Sequence, residues 1–198
     1  MVILSEEKNL MGYTAFDRFV AWLRFRAARP HIQPQSRVCD IGCGLEAAFL
    51  HRLQAHISYG LGVDYQEAVC RPRHIAFLRA NINEPLPLTN QDFDHVVMLA
   101  VLEHLAQPEP VLREINRILR PGGSLILTWP SAIIDPLLHF LHRLRIVSDE
   151  MESQDHQDRI AMPQLQKMLR DAGFDRFEHR HFELGLNNLL VAHKGLRP

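Results

Sequence analysis

Val38-Cys39-Asp40-Ile41-Gly42-Cys43-Gly44 is the stretch that decides how this chain folds. An apolar run leads into two glycines one residue apart, and Ala47 to Gln54 then recur with helical spacing. The pattern is that of a strand, a tight turn and a helix. Glycine takes backbone angles closed to other residues, and its missing side chain lets a ligand lie against the main chain. The helix start then offers unpaired N–H groups to an anion. Asp64 closes the next apolar run about 20 residues on, where an acid can accept hydrogen bonds from ribose hydroxyls. By itself the pair indicates a nucleoside-containing cofactor. A bare tight turn and a dinucleotide site both stay open at this point, because Ala47 stands where the G-x-G-x-x-G fingerprint tolerates alanine.

Working outward, Arg37–Ile41, Tyr59–Val63, His74–Arg79, Phe93–Leu99 and Ser124–Trp129 read as strands. Gln66–Cys70 is a stub of helix broken by Pro72. Pro110–Leu119 is a helix with proline at its start, ended by Pro121-Gly122-Gly123. Upstream, Phe16, Phe19, Val20, Leu23 and Ala27 make Tyr13–Arg29 an amphipathic helix stopped by Pro30 and Pro34. Downstream, Gln164–Ala172 is a helix stopped by Gly173. Arg176–Glu183 and Leu189–His193 are strands whose short link, Gly185–Asn188, makes them antiparallel. The expectation is therefore an α/β fold: a Rossmann-like, seven-stranded, mostly parallel sheet with a C-terminal antiparallel hairpin and helices on both faces. One domain spans 1–198, with an N-terminal helical region over 1–35 and an insertion over 131–162.

Composition narrows the function. The 198 residues are 46% hydrophobic and 23% charged, with a net charge of −1. Neither nucleic acid nor an anionic membrane is courted by that total. The three cysteines, Cys39, Cys43 and Cys70, lack CxxC spacing, which argues against disulfides and a zinc site and for reduced thiols in a cytoplasm. No run approaches the ~18 apolar residues of a transmembrane helix, and Met1–Met11 does not read as a signal peptide.

Asp40-Ile41-Gly42-Cys43-Gly44 resembles motif I of class I S-adenosylmethionine-dependent methyltransferases. Phe93 to Leu105 resembles their fourth strand and its loop. Leu112 to Leu125, with Pro121-Gly122-Gly123, is similar to the following helix, turn and fifth strand, and Ala172-Gly173-Phe174 with the hairpin also fits. The likeness runs in order from about Arg37 to Lys194. It implies S-adenosylmethionine as cofactor, S-adenosylhomocysteine as product and a small-molecule acceptor. It further implies that Asp40, Gly42, Cys43 and Gly44 line the methionine part, that Asp64 holds the ribose, that Tyr65, Asn81 and Ile82 meet the adenine, and that Leu99 and Ala100 flank the cofactor.

Three departures from the family pattern bear on binding. Glu46 stands where a third glycine is usual, placing a carboxylate near the cofactor's own unless a one-residue shift gives that place to Ala47 or Ala48. Asn81 replaces a frequent Asp, so any bond there lacks charge assistance. The helix after Asp64 is short. A chain in which Glu46 has closed the site, leaving a catalytically inactive partner module, is the second functional reading. A nicotinamide-dependent dehydrogenase is disfavoured by the Pro-Gly-Gly turn and the hairpin.

His104, just past the fourth strand, is the candidate base or acceptor-orienting group, with a structural loop histidine as its plainer alternative. His139, His142 and His156 form no metal pattern. Within the insertion, Asp149–Arg159 is expected to be a mobile lid, and Pro136–Ile146 a helix packed on the sheet or one that faces an apolar substrate, a membrane surface or a partner.

Overall fold

The computed structural model describes residues 15–66, 74–131 and 160–196. Seven strands form one sheet in the order β3-β2-β1-β4-β5-β7-β6. They are β1 Arg37–Ile41, β2 Tyr59–Asp64, β3 Ile75–Arg79, β4 Phe93–Leu99, β5 Leu119–Pro130, β6 Phe174–Phe182 and β7 Asn187–Lys194. The first five run parallel, and β7 pairs antiparallel with both β5 and β6. The expected fold is the observed one.

The helices are α1 Ala15–Ala28, α2 Ala48–Leu53, α3 Pro108–Ile118 and α4 Met162–Asp171. Ala28 and Ile32, from α1 and the turn after it, bury one face of the sheet with Phe49, Leu50 and Leu53 of α2. They pack against Val38, Val97, Ile126, Leu189 and Val191. On the other face, Val111, Leu112, Ile115 and Ile118 of α3 and Leu165 and Leu169 of α4 pack against Cys39, Ile41, Val96, Leu125 and Leu190. Alternate residues of each central strand thus feed opposite layers, which is why those strands read as continuous apolar runs.

Of the boundaries that differ from expectation, two have a clear physical reason. α3 begins at Pro108, not Pro110, because Pro108 takes the first helical position, where no N–H is needed. β5 begins at Leu119, so Pro121-Gly122-Gly123 lies inside the strand and does not precede it. Its register against β4 jumps from Phe93↔Leu119 to His95↔Ser124 across that turn, a local irregularity that Gly122 permits with a φ of +77°. The amino-terminal edge is tied by charge: Arg37 bonds Asp92 at 2.8 Å, and Arg120 bonds Asp94 at 2.9 Å. The expected stub at Gln66–Cys70, the lid over Asp149–Arg159 and the helix over Pro136–Ile146 lie outside the described residues, wholly or nearly so.

Candidate functional site

The chain leaves β1 and β4, neighbours at the centre of the sheet, towards opposite edges: β1 is followed by β2 and β3, β4 by β5. In an open α/β sheet the crevice beyond the carboxyl ends of such strands is where ligands bind. Here that crevice is built from the glycine turn after β1, Asp64 at the end of β2, and the Leu99–Val101 segment after β4.

Each part is held by a specific contact. The Gly42 and Cys43 amides donate to the Val63 carbonyl at 2.8 and 3.3 Å, and the Gly44 amide donates to Asp64 Oδ2 at 2.9 Å. Gly42 has a φ of +75°, and a Cβ there would stand 2.4 Å from Val101 Cγ2. The position therefore demands glycine twice over. Gly44, with a φ of +67°, differs: a Cβ there would meet nothing within 4 Å. Its bare face looks into open space at the mouth of the crevice. Gly62 lets β2 press close, since its Cβ would meet Cys43 Sγ at 2.7 Å.

The third left-handed residue of the loop is Ala47, with a φ of 42°, and Glu46 beside it is exposed. The left-handed position one residue past Glu46 is thus occupied by a buried alanine.

Asp40 is 3% exposed, and no hydrogen bond to its carboxyl is seen among the described residues. Burial, with Asp64 nearby, pushes its pKa up to about 8. Asp64 accepts from Gly44 with one oxygen and from the Gln66 amide, at 3.1 Å, with the other. Burial raises the thiols of Cys39 and Cys43, with the Asp40 charge adding to it, so neither is a ready nucleophile.

The adenine-side residues are more scattered. Ala80 N donates to the Asp64 carbonyl at 2.9 Å, which brings Asn81 and Ile82 alongside the β2 end. Asn81 is exposed, and its amide is committed to its own turn: Oδ1 accepts from the Asn83 amide at 3.1 Å while Nδ2 donates to Glu84. Tyr65 is 69% exposed. Leu99 is half-buried on the α1 face, and Ala100, with a φ of 56°, donates to the Thr128 carbonyl at 2.9 Å. His104 ends a short 3-10 turn, Leu102–His104, after β4. Loss of solvent and the nearby charge of Arg24 on α1 lower its pKa, so its ring is neutral at pH 7.

Sequence reasoning missed a polar turn at the same end of the sheet, beside the end of β5. Glu183, Leu184 and Gly185, between β6 and β7, all have positive φ (53°, 56° and 91°). Glu183 accepts from Asn187 Nδ2, and Arg24 lies close enough to pull down a pKa that burial has raised. Glu183 and Asn187 meet within one short turn, but no local pattern announces the burial and the Arg24 charge that α1 brings to them. Among the described residues, no group of three or more His, Cys, Asp or Glu side chains is arranged to hold a metal.

Comparison with known proteins agrees with this geometry. Residues 39–127 match the family model of a methyltransferase domain. The chain is 27% identical over 202 residues to the ubiquinone/menaquinone biosynthesis C-methyltransferase UbiE of Bordetella parapertussis, covering 89% of this chain and 76% of that one. In structure it is similar to an S-adenosylmethionine-dependent methyltransferase of Thermotoga maritima, with a TM-score of 0.67 and 22% identity over 98% of this chain and 96% of that one. It is also similar to a chain from the complex between the Haloferax volcanii Trm112 methyltransferase activator and a methyltransferase, with a TM-score of 0.63 and 17% identity over 92% of this chain and 98% of that one. Over residues 39–127 the chain thus matches a methyltransferase domain, and its fold as a whole is the one these solved structures share.

Proposed function

We propose that this protein transfers a methyl group from S-adenosylmethionine to a small or medium-sized organic acceptor. The observation that carries the reading is the open face of Gly44, framed by two carboxyls, Asp40 and Asp64, at the switch point of the sheet. A side-chain-free, left-handed backbone position facing empty space, with acids on either side, fits a ligand that presents an ammonium group and ribose hydroxyls. Asp40, Gly42, Cys43 and Gly44 would hold the methionine part. Asp64 would take the ribose, since a carboxylate offers about four acceptor sites and the backbone uses two here. Ile82 and Tyr65 would meet the adenine, with a smaller part for Asn81 while its amide stays in its own turn. Leu99 and Ala100 would flank the cofactor.

When bound, the cofactor supplies an electrophilic methyl on a sulfonium centre, so the protein's task is to position the acceptor in line with it. The residues at the ends of β1, β2 and β4 would fix its direction. His104, neutral at pH 7, serves as acceptor-side base if the attacking atom carries a proton. The name of the UbiE relative favours carbon as the methylated atom. Net charge of −1 favours a small molecule over nucleic acid.

The test is to incubate the protein with methyl-tritiated S-adenosylmethionine and cell extract separated into small-molecule, RNA and protein fractions. Label entering the small-molecule fraction, and lost with Asp64→Ala, is the expected result. Label in RNA or protein would refute the acceptor class. Absence of label everywhere, with S-adenosylhomocysteine also unbound, would favour the inactive partner module.

A further inference from the structure

Three buried polar atoms lie without a hydrogen-bond partner on one face of the sheet beyond the cofactor crevice. They are Thr128 Oγ1, Asn187 Oδ1 and Glu183 Oε1. Thr128 and Asn187 are both 0% exposed. Natural proteins rarely leave such atoms unpaired, because each costs about 1–3 kcal/mol.

Their placement follows from register. Leu99 on β4 pairs with Thr128 on β5, Thr128 pairs with Leu189 on β7, and Pro130 pairs with Asn187. Directly paired residues share a face, as do residues two apart on a strand. Leu99 and Leu189 lie on the α1 side, so Thr128 and Asn187 project there too. Strands are about 4.8 Å apart, which sets Thr128 one strand from the cofactor-flanking Leu99. Asn187 lies one further strand over and nearer the mouth. Glu183 is tied to Asn187 Nδ2 and reached by the charge of Arg24 on α1, whose field also touches His104.

The backbone adds a second observation. Glu183 and Leu184 both adopt left-handed φ, and the Ser131 amide bonds the Leu186 carbonyl at 2.8 Å to pin the turn. Consecutive left-handed non-glycine residues are strained, and strain of this kind gathers at ligand sites. The turn is what brings the Glu183 carboxyl back over the end of β7.

We propose that Thr128, Glu183 and Asn187 form the recognition site for the methyl acceptor, and that the group seated there is a neutral hydroxyl. This rests on the methyltransferase reading above. The unpaired atoms of Glu183 and Asn187 can only accept while the Asn187 amino group stays on Glu183, and Thr128 can do either. The complementary ligand group must therefore donate. A cationic amine would donate as well, but Arg24 already supplies positive charge beside Glu183 and would repel it. The hydroxyl so held lies on the same face as Leu99, one to two strands away, and the rest of the acceptor reaches back towards the crevice.

The experiment uses the full chain saturated with S-adenosylhomocysteine, with phenol, anisole and benzylamine as probes of matched size, followed by amide chemical shifts. Phenol is expected to perturb Thr128, Glu183 and Asn187, and anisole, which cannot donate, to bind at least about tenfold more weakly. Thr128→Val and Asn187→Leu are expected to weaken phenol by about fivefold or more while S-adenosylhomocysteine affinity is kept. Thr128→Val, nearly isosteric, serves if Asn187→Leu does not fold. Equal binding of anisole, preference for benzylamine, absence of phenol binding, or variants that bind phenol like the wild type would each overturn the proposal. Loss of S-adenosylhomocysteine binding in the wild type would instead strike the cofactor reading on which it stands.

Discussion

Gly42 and Gly44 stand one residue apart in the same turn, yet alanine at the two places should fail in different ways. At Gly42 the new Cβ meets Val101 Cγ2 at 2.4 Å, in a backbone with a φ of +75°. A left-handed conformation costs an L-residue roughly 1–2 kcal/mol, and overpacking adds about 1–3 kcal/mol. Gly42→Ala should thus lose about 2–5 kcal/mol, a large share of a typical domain's stability. At Gly44 the backbone term is similar, but a Cβ meets nothing within 4 Å. Gly44→Ala should lose only about 1–2 kcal/mol. Its methyl would instead fill space offered to the cofactor, weakening S-adenosylhomocysteine by about tenfold or more. Urea denaturation followed by circular dichroism measures the first quantity and calorimetry the second. The double variant Gly42→Ala/Val101→Ala should recover the steric part, about 1–3 kcal/mol relative to additivity. If Gly44→Ala proved as destabilising as Gly42→Ala, or if Val101→Ala gave no relief, the contact between the two loops would not be what fixes Gly42.

Further outcomes can be stated briefly. His95 is 5% exposed, bonds Ser124 Oγ at 2.8 Å, and burial lowers its pKa from 6.5 to about 4. The unfolded chain therefore binds the proton first, and stability should fall as pH drops from 6.5 towards 4, by up to about 3 kcal/mol from this group. His95→Gln should flatten that part of a urea-midpoint against pH curve, and an unchanged slope would refute it. Asp40, with a pKa near 8, is mostly protonated at pH 7, so seating an ammonium group beside it should release close to one proton. Titrations in buffers of different ionisation enthalpy should reveal that proton, and Asp40→Asn should abolish it. Thr128→Val should raise stability by about 1 kcal/mol, because it removes an unpaired buried hydroxyl, while lowering turnover.

Much of this was readable before any coordinates. β1 and β4 match their expected bounds because they are apolar runs buried on both faces, punctuated by Gly42 and Ala100. The Pro121-Gly122-Gly123 turn misled, since a bulge inside β5 and a break before it have the same local signature. The polar edge strand β6 was under-extended by two residues, as only Phe174 at its start is fully buried. The glycine turn and Asp64 were legible as a pair because a single βαβ step joins them. The left-handed backbone of Ala47 was not legible, since the sequence offered only Ala47 or Ala48 for the place of the missing glycine. Glu183 and Asn187 were invisible because their environment is assembled by α1 and β5, far away along the chain, and no spacing rule connects Arg24 to Glu183.

The central claim is that the turn around Gly44 receives the cofactor. Calorimetric titration of the purified chain with S-adenosylhomocysteine, in parallel with Glu46→Gly and Asp64→Ala, tests it most directly. The account predicts micromolar binding by the wild type, little change in Glu46→Gly, since Glu46 is exposed and Ala47 makes the turn, and loss of binding in Asp64→Ala. No binding by the wild type with recovery in Glu46→Gly would mean that Glu46 closes the crevice, and the cofactor assignment for this chain would fall.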